Sequence, residues 1–272
     1  MLNNITMGQY YPVESPVHRL DPRTKLLLTI LYIVIVFLAK TLAGYALILG
    51  FVFFVSRASH VPFRMLLRGL KPLRMIVILT FLLNLFFTGG DTLLFSIWTV
   101  RITREGLNQA VFYSLRLIFL VMGTSLLTLT TSPVALSDAI EVLLTPLKKI
   151  HFPAHELAMM MTIALRFIPT LLEETDKIKK AQMARGADFE SGNLIARARA
   201  MIPLLVPLFV SAFRRAGDLA MAMESRCYHG GEGRTRLRVL RFSRQDAYAV
   251  LIVLALLALI LLEGFLWGRL AA

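Results

Sequence analysis

The chain has 272 residues, of which 57% are hydrophobic and 17% charged, and the hydrophobic residues gather in long uninterrupted blocks. This composition excludes an ordinary soluble domain and indicates an integral membrane protein. The formal net charge of +13 could indicate nucleic-acid binding or the orientation of a membrane protein. The positions of the basic residues distinguish these two explanations. The single cysteine, Cys227, excludes an internal disulfide framework and a CxxC pair.

Five blocks are candidates for membrane spans. A hydrocarbon core about 30 Å thick requires roughly 20 apolar residues per helix. The blocks cover residues 25–39, 41–56, 72–88, 107–130 and 247–267. We therefore predict about five transmembrane helices, with the first two either tilted, extended into their flanks or joined in a tight hairpin at Lys40 and Thr41.

The basic residues predict the orientation of these spans. Threading five helices places the N-terminal segment, the 57–74 loop and the 131–245 region on one side of the membrane, together with 25 of the 30 Lys and Arg residues. Cytoplasmic loops are enriched in Lys and Arg, so this side is predicted to be the cytoplasm. The excess of positive charge is then explained without a nucleic-acid partner.

The 131–245 region contains no confident span, yet it is rich in Leu, Met, Ile and Val. Apolar spacing predicts long amphipathic cytoplasmic helices there. They cover residues 133–150, 156–185 and 203–223. We expect Pro169 to kink the second helix, Gly186 to end it, and Gly230-Gly231 to end the third.

The two longer helices each end in an arginine that continues the apolar stripe. Heptad steps along the stripes give Leu171, Ile178 and Arg185 on one helix and Ala212, Leu219 and Arg226 on the other. Small residues flank both arginines. A cation in the last turn also complements the helix dipole by up to about 1 kcal/mol, so dipole compensation is the alternative to a docking role.

At these arginines the sequence resembles the T components of energy-coupling factor (ECF) transporters, the family of CbiQ- and BioN-like proteins. Its two Ala-Arg-Gly-like motifs are similar to 184–186, Ala-Arg-Gly, and to 225–227, Ser-Arg-Cys. Residues 20–26, Leu-Asp-Pro-Arg-Thr-Lys-Leu, resemble the family's opening motif, and 165–169, Leu-Arg-Phe-Ile-Pro, resemble the segment preceding the first arginine motif. The second motif departs from the pattern but keeps its arginine and small flanks.

The resemblance implies a non-catalytic coupling subunit of an ABC-type importer of vitamins or micronutrients. Two ABC ATPases, identical or homologous, would receive the arginine helix ends, and one membrane-embedded, substrate-binding S component would contact the apolar faces. ATP and Mg²⁺ would be bound by the ATPases, with no cofactor or metal in this chain.

The resemblance and the apolar stripes define three sets of expected site residues. The expected ATPase-docking residues are Ala184, Arg185, Gly186, Ser225, Arg226 and Cys227. The expected S-component contacts are Met161, Ile168, Leu171, Leu205, Leu208, Leu219 and Met223. The expected structural motif residues are Asp21, Pro22, Arg23, Lys25, Arg166 and Pro169.

Together these observations predict an all-α integral membrane protein of the cytoplasmic membrane, with about five transmembrane helices, long amphipathic cytoplasmic coupling helices and membrane lipid as a contact. The predicted organisation is a transmembrane region at 1–130, a coupling-helix region at 131–245 and a last transmembrane helix at 246–272. The N-terminus is predicted to be cytoplasmic.

Other candidate sites carry weaker signals. His151 and His155 are four residues apart, but Pro153 interrupts their helix and favours a loop or capping role over a metal site. Arg116 lies inside the fourth predicted span and requires snorkelling, a small shift of the span, or a contact with Asn84 or a backbone carbonyl.

Two rival functions follow from the same sequence. A T subunit dedicated to one cobalt, nickel or biotin system would have the same fold. An integral-membrane enzyme acting on lipid would require a clustered acid–base pair, a metal-ligand set or an activated nucleophile. The sequence shows no motif for any of these. The chain also has no phosphate-binding Gly-x-x-x-x-Gly-Lys motif, so it is not the ATPase itself.

Overall fold

The computed structural model describes residues 10–89, 93–97, 100–150, 152–189, 191, 193–230 and 240–270. The helices are α1 (Pro22–Leu38), α2 (Leu42–Ala58), α3 (Phe63–Leu70), α4 (Arg74–Phe87), α5 (Arg104–Thr130), α6 (Pro133–Leu144), α7 (Ala154–Ala184), α8 (Leu194–Ala200), α9 (Ile202–Glu224) and α10 (Arg244–Leu270). The prediction of an all-α membrane protein is confirmed. One short antiparallel hairpin, β1 (Leu93–Ile97) and β2 (Val100–Thr103), was not predicted.

Five helical segments of the described residues are long and apolar enough to cross a membrane. They are Phe63–Phe87, Arg104–Thr130, Ala154–Ala184, Arg197–Glu224 and Arg244–Leu266, and the shorter Leu42–Ala58 is also apolar. This set contains three of the five predicted spans. It does not include α1, which is the predicted span at 25–39, and it adds α7 and α9, which were predicted to be cytoplasmic. Length and composition do not distinguish an apolar coupling helix from a transmembrane helix. The cytoplasmic placement of α7 and α9 therefore stays a prediction.

The chain forms two compact units. One comprises Gln9–Ala139 with Leu240–Ala272, and the other includes Ile140–Val239. We call the first the membrane unit and the second the coupling unit. The unit boundaries fall inside α6 and shortly before α10.

Three helices of the membrane unit, α1, α2 and α5, begin at side-chain caps. Asp21 accepts a hydrogen bond from the backbone N–H of Arg23, with Pro22 in the first turn of α1. Thr41 and Thr103 cap α2 and α5 in the same way through the backbone N–H groups of Gly44 and Gly106. Only three residues separate α1 from α2, as the hairpin alternative at Lys40 and Thr41 requires.

The core of the membrane unit lies between α1, α2, α5 and α10. Tyr32 packs against Phe51 with ring centroids 5.8 Å apart, and its hydroxyl donates to the carbonyl of Phe119 at 2.9 Å. A Cβ at position 123 would overlap the ring of Tyr32, so Gly123 permits this close approach. The outward faces of these helices remain apolar, as expected of helices that face lipid.

Hydrogen bonds identify which helix ends meet in the membrane unit. The backbone N–H of Asp21 donates to Oδ1 of Asp246 at 2.8 Å, which joins the starts of α1 and α10. Nζ of Lys25 donates to the carbonyl of Thr130 at 2.8 Å, which adds the end of α5. At the other ends of α1 and α10, Thr41 hydrogen bonds to Glu263. These pairings agree with an up-and-down arrangement of successive helices.

The coupling unit contains two long helices that pack against each other, α7 and α9. Both continue through an internal proline, Pro169 in α7 and Pro207 in α9. The predicted stop at Gly230 is wrong, because α9 already ends at Glu224 and Cys227 adopts the left-handed conformation that closes it; Gly231 lies outside the described residues. The predicted helix over 133–150 divides into α6 and a 3-10 turn at Thr145–Ile150.

Candidate coupling interface

Arg185 lies at the C-terminal end of α7, immediately before a left-handed residue. Gly186 has φ of 89°, which glycine adopts without steric cost. Its N–H donates to the carbonyl of Met183, and the N–H of Ala187 donates to the carbonyl of Gln182, both at 3.0 Å. This pair of bonds is a Schellman motif, which closes the helix and leaves the side chain of Arg185 exposed.

Arg226 occupies the same position at the end of α9. Cys227 takes the left-handed conformation with φ of 55°. Its N–H donates to the carbonyl of Glu224 at 2.8 Å, and the N–H of Tyr228 donates to the carbonyl of Met223 at 3.0 Å. The two predicted motifs therefore end their helices with the same geometry, although one has Gly and the other Cys at the turning position.

The six residues of these two motifs share an exposed position. Ala184, Arg185 and Gly186 are exposed, and so are Ser225, Arg226 and Cys227. Among the described residues, neither arginine forms an ion pair with a carboxylate. Each guanidinium thus keeps five N–H donors for a planar acceptor such as a carboxylate. This geometry suits a docking contact.

An ion pair ties the two arginine-tipped helices together. Nη2 of Arg215 on α9 lies 2.8 Å from Oε2 of Glu174 on α7. Nε of the same arginine lies 3.5 Å from Oγ of Ser211. Both charged side chains are partly exposed, so the pair contributes orientation more than stability. It fixes which faces of α7 and α9 meet.

The seven predicted S-component contacts divide into two groups. Met161, Ile168 and Leu205 are exposed. The half-buried members are Leu171, Leu208, Leu219 and Met223. Leu208 and Leu219 lie seven and four residues from Arg215, so they share the side of α9 that meets α7. The helix pair itself therefore uses part of the stripe that the sequence analysis assigned to a partner.

A larger exposed apolar surface lies on α9, and of its members only Leu205 was predicted from the sequence. Its members are Ile202, Leu205, Val206, Phe209, Val210 and Phe213, which we call the α9 stripe. They follow helical spacing, and Phe213 is 74% exposed. Extending Leu205 by steps of four to Phe209 and Phe213 would have found the stripe. A contiguous exposed apolar face of this kind marks an interaction surface or contact with lipid.

The opening motif is built into the membrane unit. Arg23 forms a bidentate pair with Asp21, through Nε at 3.1 Å and Nη2 at 2.8 Å, and stacks 4.4 Å from the ring centroid of Phe242. Burial alone would raise the pKa of Asp21, but hydrogen bonds from the Arg23 side chain and backbone hold it below its ordinary value. Nη2 of Arg23 also donates to the carbonyl of Leu240 at 3.1 Å. The motif thus attaches α1 to the start of α10.

Lys25, in the same motif, is buried between helix ends. Only 7% of the residue is exposed, and Nζ donates to the carbonyls of His18 at 3.0 Å and Thr130 at 2.8 Å. By contrast, Arg166 of the second predicted motif is exposed on α7, and Pro169 is half-buried three residues later. The structure therefore gives the opening motif a packing role in one unit and places the 165–169 motif in the other.

Arg116 lies in the middle of α5, next to aromatic rings. Its guanidinium carbon is 5.3 Å from the ring centroid of Phe37 and 5.6 Å from that of Tyr113. The amide of Asn84 instead donates to the carbonyl of Thr80 at 2.8 Å. The guanidinium is thus stabilised by cation–π contacts, which the sequence analysis did not consider.

The predicted histidine pair falls partly outside the described residues. His151 lies outside them. His155 is the second residue of α7, and its Nδ1 is 2.9 Å from Oε1 of Glu141, which links α6 to α7 within the coupling unit. No group of three or more His, Cys, Asp or Glu side chains in the described part of the chain is arranged to hold a metal ion.

The apolar helices define a multi-pass membrane protein, and the arginine ends with the α9 stripe define surfaces suited to partner subunits. The chain matches the Cobalt transport protein family, CbiQ, over residues 13–237. It belongs to this family.

Relatives with the same printed name cover nearly the whole chain. The energy-coupling factor transporter transmembrane protein EcfT of Thermosediminibacter oceani is 57% identical over 98% of this chain and 100% of the relative. The proteins of that name from Clostridium kluyveri and Bacillus subtilis are 54% and 51% identical, over 99% and 96% of this chain and 100% and 98% of theirs.

These similarities confirm the predicted function at the level of the complex: the chain is the non-catalytic transmembrane T component of an ECF transporter. They do not favour the membrane enzyme or the dedicated single-metal or biotin subunit.

Proposed function

We propose that this T component joins two ABC ATPases to one S component, with the ATPases on the ends of α7 and α9 and the S component on the apolar surface of the same helices. ATP and Mg²⁺ are bound by the ATPases, and this chain transmits their movement without a cofactor of its own. The membrane is the cytoplasmic membrane, with the N-terminus and the coupling unit in the cytoplasm.

The observation that carries the proposal is the matched geometry of the two helix ends. Arg185 and Arg226 both precede a left-handed residue, both are exposed, and both lack a carboxylate partner among the described residues. Helix-dipole compensation explains a cation in the last turn, but it does not require the same terminal turn at both ends. Two equivalent arginine ends fit two equivalent acidic grooves.

The packing of α7 on α9 provides the mechanical link. Because α7 packs on α9 and the Glu174–Arg215 pair joins them at one point, a displacement at one arginine end would be transmitted to the other helix. The exposed α9 stripe and the exposed residues Met161 and Ile168 lie on these same helices. Closure of the ATPases would therefore move the surface on which the S component rests.

Charge reversal at the arginines tests the proposal. Arg185→Glu and Arg226→Glu should each weaken one ATPase contact, because removing one partner of a desolvated charge pair costs about 2–5 kcal/mol. The double variant should lose both ATPases and substrate uptake. Lysine at either position should restore binding only in part, since it lacks the planar fork of arginine. Copurification of the ATPases with the tagged T component measures the contacts, and uptake in cells measures transport.

Arg214→Glu is the matched control, because Arg214 is an exposed arginine on α9 away from the helix end. It should keep both ATPases. Normal copurification and uptake by the double variant would reject the docking proposal and leave dipole compensation as the role of the two arginines.

A further inference from the structure

The membrane unit contains a cavity of about 420 Å³ at the end where α1 and α10 begin and α5 ends. Pockets that hold small organic ligands have volumes of about 300–1,000 Å³, so this one is large enough for part of an acyl chain. Its walls are mostly apolar side chains of α1, α2, α5 and α10, among them Leu28, Phe51 and Val253. The coupling interface does not include this cavity.

The cavity opens toward the lipid-facing surface. Phe54 on α2 and Tyr248 and Ile252 on α10 line it, and all three side chains are exposed. Tyr248 lies within the first turn and a half of α10, where a tyrosine marks the level of the lipid headgroups. An acyl chain could therefore enter the cavity laterally while its headgroup stays at the membrane surface.

One cation lines this end of the cavity, and two more are adjacent in sequence to lining residues. Lys25 lines it and donates only to two neutral carbonyls, which leaves one of its three N–H donors. Arg57 and Arg244 directly precede the lining residues Ala58 and Gln245, and both arginines are exposed. Neither arginine has a carboxylate partner among the described residues.

We propose that this cavity is a binding site for one anionic glycerophospholipid. An acyl chain fills the apolar cavity, and the negatively charged headgroup is held by Arg57 and Arg244, with Lys25 beneath it. The two observations are complementary, because an apolar cavity alone would accept any lipid, whereas the two arginines without a carboxylate partner among the described residues favour a negative headgroup. The inference does not depend on the docking of the ATPases.

Native mass spectrometry of the delipidated, purified chain tests the site. The probes are dioleoylphosphatidylglycerol and dioleoylphosphatidylcholine, which have the same acyl chains and differ in headgroup charge. The wild-type chain should retain one phosphatidylglycerol in preference to phosphatidylcholine. Arg57→Gln and Arg244→Gln should each weaken phosphatidylglycerol binding by roughly five-fold, since one basic residue near the surface contributes about 1 kcal/mol. Arg199→Gln, an exposed change of equal charge on α8, should have no effect.

Substitutions that fill the cavity distinguish binding of the acyl chain from binding of the headgroup. Ala249→Leu should weaken both lipids, by roughly four-fold for each methylene that the new side chain displaces. Ala247→Leu, exposed on the same helix and outside the cavity lining, is the control. If Ala249→Leu fails to fold, Ala58→Leu fills the cavity from α2 instead. Equal binding of both lipids by the wild type, or unchanged phosphatidylglycerol binding by a folded cavity variant, would overturn the proposal.

Discussion

Cys227 performs at the end of α9 the conformational role that Gly186 performs at the end of α7. A left-handed residue lets two backbone N–H groups turn back to the last carbonyls of the helix, and the preceding arginine then projects from the helix end. For a residue with a Cβ this conformation costs about 1–2 kcal/mol. The second arginine motif therefore keeps the geometry of the first at a cost in local stability.

Glycine at position 227 should stabilise the end of α9. Removing the Cβ relieves the left-handed strain, and after the greater freedom of glycine in the unfolded chain is subtracted, a gain of about 0.5 kcal/mol remains. Hydrogen exchange should show slower exchange of the N–H groups of residues 227 and 228 in Cys227→Gly. Ser225→Gly, which places glycine at a helical φ of −63°, should do the opposite. Equal exchange in all three proteins would contradict this account of the turn.

The two arginines could be located from sequence, but the way α9 ends could not. Heptad spacing led to Arg185 and Arg226, and Gly186 is a recognisable C-terminal signal. Cysteine carries no such signal, so the sequence favours a stop at Gly230-Gly231 instead. Backbone hydrogen bonding to Met223 and Glu224, rather than residue type, determines the end of this helix.

At the scale of helices, apolar periodicity predicts that α7 and α9 are helices. It does not predict which apolar face of each helix packs against the other. The sequence stripe through Leu208 and Leu219 lies on the flank that meets α7, while the α9 stripe around Phe209 is exposed. Both stripes have helical spacing, and only the ion pair from Arg215 to Glu174 shows which one the partner helix covers. A helix that is apolar on two sides requires a second contact.

A charge on the α9 stripe should release the S component while leaving the ATPases bound. Phe209→Glu places a carboxylate in the proposed apolar contact, where burying an unpaired charge should lower retention at least about tenfold. Pulldown of the T component from membranes, followed by quantification of each subunit, measures this. Ile195→Glu, an exposed apolar position on α8, is the control and should retain all subunits. Equal loss of the S component in both variants would show a general effect of charge, and no loss in either would assign the stripe to lipid.

At the scale of the whole molecule, the helix ends that meet in the membrane unit agree with the distribution of charge. The starts of α1 and α10 and the end of α5 meet through Asp246 and Lys25, and the basic α3 segment follows directly after α2. This up-and-down order is what the five-span threading requires. Hydropathy alone would not have given it, because α7 and α9 are as long and nearly as apolar as true spans. Charge favours the predicted cytoplasmic assignment of α7, since its second half carries Glu173, Asp176 and Lys177.

The native cysteine tests the orientation of the whole chain. Cys227 is exposed and is the sole thiol of the sequence, so no engineered probe is needed for the coupling unit. In the proposed orientation a membrane-impermeant maleimide should leave Cys227 unlabelled in intact cells and label it once the membrane is permeabilised.

The matched probe for the opposite side is Cys227→Ser combined with Gly89→Cys. Gly89 is exposed just beyond α4, and a Cβ there meets no other atom within 4 Å. Because α3–α4 is the third span in the proposed orientation, the thiol introduced at position 89 should lie outside and react in intact cells. Labelling of Cys227 in intact cells, together with protection of the introduced thiol, would invert the topology. It would also place Arg185 and Arg226 on the side without ATP, so the ATPase-docking proposal would fail with the orientation.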